Sequence, residues 1–166
     1  MYCAASSKSE MEIVLRRFKE MVDSTKDSDK PDDRFDAAWA TSCMAGLYAR
    51  LHEPYLAEQS YLEAIQLFDK AGMAINAATI CVALGSFFWE IGRNDEVEAM
   101  LKQNIIYLIR YWGTGNHHVL AAEEELRHFQ LTGEMIEAFR HRWCKACKID
   151  DFGVGFDFEG TDKAER

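Results

Sequence analysis

In the stretch "HRWCKACK", residues 141–148, three residues are of types that could hold a metal: His141, Cys144 and Cys147. They step by three along one helical face, and imidazole and thiolate are ligands that zinc prefers. His128, on a preceding antiparallel helix, has the chemistry of a fourth donor. Against this, thiols three apart usually form a zinc half-site in a knuckle rather than on a helix. The chain also has no second CxxC, and no thioredoxin-type βαβ pattern surrounds this one. We read these residues as ordinary thiols and imidazole on a helix face and expect no metal and no cofactor.

Other catalytic signatures are missing from the sequence. It contains no glycine-rich phosphate loop and no GxSxG elbow. "DFGVGF" in the C-terminal region shares letters with a kinase element but lacks the lysine and catalytic loop that must accompany it. The acidic run "AEEEL" at 122–126 falls on a helical pattern, where charge reads as a solvated face. His117 and His118 open a helix and read as solvated. The expectation is therefore a protein without enzymatic chemistry.

Composition narrows the class further. The 166 residues are 48% hydrophobic with two prolines, enough for one domain with a core built mostly of helix. A net charge of -9 argues against a nucleic-acid binder, which needs a basic surface to replace phosphate counterions, and favours a basic protein partner or simply solubility. No apolar run reaches the roughly 18 residues a membrane span needs, and the opening "MYCAASSKSE" lacks a signal-peptide core. Five cysteines, an odd number among apolar neighbours, suit a reducing compartment. The reading is a soluble, cytoplasmic protein.

Periodicity then gives the elements. Met11, Val14, Leu15, Phe18, Met21 and Val22 form one apolar stripe, predicting an amphipathic opening helix before the polar linker "DSTKDSDKPDD". From about Asp32 to Leu51 apolar residues recur too densely for one stripe, so that helix must be contacted on more than one side. Further helices are expected from Pro54 to about Ala71, Ala74 to about Ile91, Asn94 or Asp95 to about Trp112, His117 to Leu131, and Glu134 to about Cys147. Gly72, Gly92 and Gly133 are the expected stops. That makes about seven helices: one, then three antiparallel pairs.

Two of these pairs match each other in sequence. "LGSFFWEIGRNDEVEAML", residues 84–101, lies over "MAGLYARLHEPYLAEQSY", residues 44–61, at an offset of 40. Ala45, Tyr48, His52, Ala57, Tyr61 and Ala64 in one copy, and Gly85, Phe88, Gly92, Val97, Leu101 and Asn104 in the other, resemble the tetratricopeptide repeat. A third, degenerate copy keeps Phe129, Gly133 and Ala138 but has Leu126, Arg142 and Lys145 elsewhere. The period exceeds the family's usual ~34 residues, so the likeness is to long-repeat arrays such as kinesin light chains or SNAP adaptors. It covers residues 35 to 147.

The resemblance implies an all-α, right-handed superhelical stack of helix pairs that holds a peptide or helix in its concave face. Its spacing places Trp39, Ser42, Gly46, Ala49 and Arg50, then Thr79, Val82, Ser86, Trp89 and Glu90, then Leu120, Glu123, Arg127 and Gln130 on that face. Trp39 and Trp89 would anchor a partner, or else pack between units. Arg50, Arg127, Glu90 and Glu123 would set charge preference. The clamp that some family members close on a terminal carboxylate is not expected, since Ser42, Gly46, Ala83 and Glu124 occupy its places.

The expected organisation is an N-terminal helix and linker (1–31), a helical repeat domain (32–147) and a non-helical acidic tail (148–166). In that tail Phe152, Val154, Phe156 and Phe158 alternate with Gly and Asp. It reads as a cap on the last unit, as a motif for another protein, or as an occupant of its own groove. The expected function is an adaptor or scaffold module. The alternatives are a self-associating structural subunit and, third, an enzyme or a Cys/His metal- or redox-responsive protein.

Overall fold

Residues 8–136 are described by the structure, a computed structural model. They form six α-helices: α1 (Lys8–Thr25), α2 (Pro31–Arg50), α3 (Pro54–Lys70), α4 (Ala74–Glu90), α5 (Asn94–Trp112) and α6 (His117–Thr132). Helix is the only regular structure among the described residues, as the composition required. The seventh helix expected from Glu134 begins with residues that are not helical, 134–136, and the rest of it lies outside the described residues. So do the C-terminal tail and the His141, Cys144 and Cys147 cluster.

Each helix packs on its neighbours in sequence, and three of the five joints between them are built alike. After α2 the backbone reverses at His52 (φ 60°), after α3 at Gly72 (φ 74°) and after α4 at Gly92 (φ 78°). At each joint the residue in the left-handed conformation donates to the carbonyl three back: His52 to Ala49, Gly72 to Asp69 and Gly92 to Trp89. The next residue donates to the carbonyl five back: Glu53 to Tyr48, Met73 to Phe68 and Arg93 to Phe88. These paired bonds satisfy carbonyls that a helix end would otherwise leave without donors, and they stop the helix at a fixed residue. The interval is 20 residues, half the repeat read from the sequence, so the turn within a pair and the turn between pairs have the same geometry.

The side chains follow that interval. Tyr48, Phe68 and Phe88, one residue before the carbonyls accepting the shorter bonds, are all buried, as are Ala57, Ala77 and Val97 and then Tyr61, Cys81 and Leu101. Helix α4 is central, with every residue from Ile80 to Phe88 buried. Gly85 lets α5 approach it, because a Cβ there would stand 3.4 Å from the Met100 Cβ. The expected crowding of α2 also holds, since it packs against both α1 and α3. On α1 the predicted stripe faces inward: Leu15 and Phe18 are buried, with Met11, Val14, Met21 and Val22 beside them.

Contacts distant in sequence fix the relative directions. Phe35, near the start of α2, meets Phe68 at the end of α3 edge to face, with ring centroids 6.0 Å apart, so the pair is antiparallel. Near the start of α5, Arg93 pairs with Glu58 on α3, and near its end Arg110 pairs with Asp69. These two contacts make α3 and α5 parallel. Exposed pairs add little stability, so their value is positional. Helix α5 starts at Asn94 without a side-chain cap: the residue before it is Arg93, whose guanidinium bonds Glu96 in the first turn.

His52 occupies a conformation that costs a residue with a Cβ about 1–2 kcal/mol. Replacing it by glycine should raise stability by about 1 kcal/mol, and Gly72→Ala or Gly92→Ala should lower it by a similar amount. At both glycines an added Cβ meets nothing within 4 Å, so the loss would be one of backbone conformation alone. Urea unfolding of the three variants checks this; an unchanged midpoint for all of them would mean the turns do not hold this geometry.

Candidate functional site

Between the N-terminal half of α4, the C-terminal half of α5 and the start of α6 lies an open cleft of about 240 Å³. Its α4 wall is Ile75, Ala78, Thr79, Val82 and Ala83; α5 contributes Asn104, Leu108 and Trp112, and α6 His118, Ala121 and Ala122. The surface is mostly apolar, with the buried Asn104 amide as a polar group in the wall.

The cleft exists because the two repeats differ at a few positions. Counting back 40 residues, Ile75 corresponds to Phe35, Thr79 to Trp39 and Leu108 to Phe68. In the first pair these rings pack on one another: Phe35 is stacked on Trp39 with centroids 6.3 Å apart and lies edge to face on Phe68. The second pair has Ile, Thr and Leu in their place, and its third wall, α6, enters by a longer joint through Gly113 and Gly115, so the space between the helices stays open. Nearby, Asn104 replaces the Ala64 of the first repeat. The offset of 40 carries this signal in the sequence.

Aromatic groups stand at the mouth. Trp112, 46% exposed, stacks on His118 (centroids 5.6 Å, 28°), His118 touches His117, and Tyr111 meets Trp112 edge to face at 4.7 Å. His117 and His118 are exposed as expected, and they belong to this aromatic cluster. Asn116 caps α6 by accepting the His118 N–H at 2.9 Å, and the first turn of α6 carries no acidic residue.

Of the residues assigned to the concave face, the cleft gathers Thr79 and Val82. Ser42 is 0% exposed and its hydroxyl donates to the Trp39 carbonyl, so it offers a partner no surface. Ser86 and Val82 are also buried, with the Ser86 hydroxyl donating to Val82. Thr79 donates to Ile75, an ordinary helical back-bond. Trp39 and Trp89 are half-buried against the core. The Trp89 indole N–H donates to the Gly133 carbonyl at 3.2 Å, joining the C-terminal ends of α4 and α6, which is the packing role considered for it. Gly46 and Ala49 are half-buried. Arg50 and Glu90 are exposed at the ends of α2 and α4, and Leu120 and Glu123 are exposed on α6. Arg127 pairs with Glu124, and Gln130 donates to Glu98 on α5.

One member of the acidic run departs from its reading as a solvated face. Glu125 is fully buried and accepts the Ile136 N–H at 2.9 Å. It falls in step with Val119, Ala122 and Phe129 on the buried face of α6, which the spacing of the run could have shown. The contact folds the segment after Gly133 back over α6, where Met135 is buried. Among the described residues no three His, Cys, Asp or Glu side chains converge as metal ligands, and no helix is long and apolar enough to cross a membrane. Compared with known proteins, the chain matches no family model, no curated protein and no solved structure.

Two groups in or near these faces have altered proton affinity. Burial, aided by the charge of Asp69, pushes the Cys81 thiol up to about 12, which keeps it protonated at neutral pH and unreactive. Alkylation by iodoacetamide, mapped by peptide mass spectrometry, should leave Cys81 unlabelled in the native chain and label it in urea; native labelling would show that α4 opens. Although the Glu90 side chain keeps contact with solvent, partial desolvation at the end of α4 raises its carboxyl above the usual range. The charged form is thus disfavoured in the fold, so stability from the neutral acid is present at low pH and is lost as pH rises through that raised value. Glu90→Gln should therefore unfold at higher urea than the parent at pH 7 and at the same urea near pH 3. A difference that is equal at the two pH values would assign the effect to something other than ionisation.

Proposed function

We propose that this chain is a protein-interaction module without chemistry of its own, which binds an extended or helical peptide along the face that contains the cleft. The carrying observation is the cleft itself: a space the first repeat fills with Phe35, Trp39 and Phe68 rings and the second leaves open. A partner side chain, apolar and aromatic, completes the packing that the second repeat lacks. Burial of one such side chain contributes roughly 1.5–3 kcal/mol, and the Asn104 amide and the His118 ring give it orientation.

The tetratricopeptide likeness supports the reading, and so do the equal turns at 52, 72 and 92. A constant turn between packed helices generates a superhelix, and we infer that it is right-handed with α2, α4 and α6 along its inner side. Trp39, Arg50, Thr79, Glu90, Glu123 and Arg127 then lie on or beside the path of the partner. The partner is proposed to be basic on the strength of the chain's net charge of -9, and the site of action to be the cytoplasm. Self-association through this face is the rival reading, and the apolar Trp112, exposed at the cleft, and Leu120, exposed on α6, are what favour it.

Peptides selected from a displayed library on the intact chain test the proposal. Thr79→Trp, which copies the first repeat, should weaken the selected peptides at least about tenfold, the equivalent of one lost apolar anchor, with helicity unchanged. Selected peptides that bind Thr79→Trp as well as the parent would remove the cleft from the function. A dimer that Thr79→Trp dissociates would favour self-association.

A further inference from the structure

The cleft lies where the chain's own C-terminal segment can reach it. Beyond the αL cap at Gly133 the backbone turns back, and the Ile136 N–H is held by Glu125 in the middle of α6. Ala121 and Ala122, one turn nearer the start of α6 than Glu125, are cleft residues. The last described residues therefore leave the fold about 6 Å along the helix from the cleft wall. From Ile136 to Phe152 there are 16 residues, a tether of up to about 53 Å when extended. Reach does not limit access.

The segment also has the chemistry that the cleft lacks. Residues 150–158 read "DDFGVGFDF": three phenylalanines separated by glycine, valine and aspartate. The second repeat has lost three rings relative to the first, at 75, 79 and 108. The glycines let a backbone come close to a helical surface.

We propose that residues 150–158 occupy the α4–α5–α6 cleft of their own chain and compete with the partner peptide for it. This rests on the cleft being a peptide-binding site, and it adds the regulation of that site. A tethered competitor acts at an effective concentration in the millimolar range for a short flexible link, so a partner must displace it to bind.

The test is fluorescence anisotropy with a labelled peptide of residues 149–160, titrated with three forms of the full chain. One is the parent, one carries Phe152→Ser, Phe156→Ser and Phe158→Ser, and one carries those three with Thr79→Trp. The triple variant should bind the peptide at least about tenfold more tightly than the parent, and Thr79→Trp should abolish that binding. Should Thr79→Trp lose helicity, Leu108→Phe fills the same space from α5 and replaces it. Equal affinity for parent and triple variant, or binding that survives the filled cleft, overturns the proposal. A difference between parent and triple variant that vanishes on dilution of the chain shows docking between copies and overturns docking within one. Library-selected peptides separate the two readings. If they need the open cleft but bind parent and triple variant alike, the tail inference fails and the interaction function stands; if filling the cleft leaves them unaffected, the function itself fails.

Discussion

The left-handed turn that closes α2, α3 and α4 governs the rest of the structure. It places one residue at positive φ and two backbone donors on carbonyls three and five back, first at His52, then at Gly72, then at Gly92. Because it recurs every 20 residues, each helix leaves the turn in the same register. Residues 20 apart therefore meet equivalent neighbours, which is why Tyr48, Phe68 and Phe88 are all buried while the chain alternates its direction. A single shifted turn would rotate the following helix and move its apolar residues off the core. Glycine tolerates the conformation readily, whereas His52 holds it at a conformational cost that the surrounding bonds offset.

Equivalence between positions gives the differences their meaning. Two pairs with the same backbone joints carry different side chains at 35 and 75, 39 and 79, and 68 and 108. One set fills its space with stacked and edge-on rings, and the other leaves a cleft of about 240 Å³. Close packing is the rule in protein interiors, and an open apolar space at an otherwise repeated position marks where an external or tethered group completes the packing. The exposed aromatic cluster of Tyr111, Trp112, His117 and His118 surrounds that space with surfaces suited to such contact.

Charged residues have a separate role. Arg93 and Arg110 hold α5 parallel to α3 at both ends, while Gln130 and Lys102 meet at Glu98. Apart from the half-buried Arg93–Glu58 pair, these contacts are largely exposed and screened by solvent, so they select register more than they add stability. Glu125 is the exception, a buried carboxylate that fixes the backbone beyond the last described helix at Ile136.

Helix content, the five joints and the stripe on α1 were legible in the sequence, because period, glycine and proline act locally and each leaves its mark within a few residues. The 40-residue offset was legible too, and its halving to 20 was not, since His52 hides one of the three left-handed positions behind a side chain that rarely adopts them. The site was only partly legible. Family spacing singled out Thr79 and Val82, which line the cleft, together with Ser42, which packing buries completely. Leu108, Trp112 and His118 carry no local mark of the cleft, because a cleft is a property of three helices at once. Sequence determined which faces are apolar and where each helix stops; only tertiary packing decided which of those faces were filled, because that depends on side-chain volumes brought together from residues up to about 47 positions apart, as Ile75 and Ala122 are.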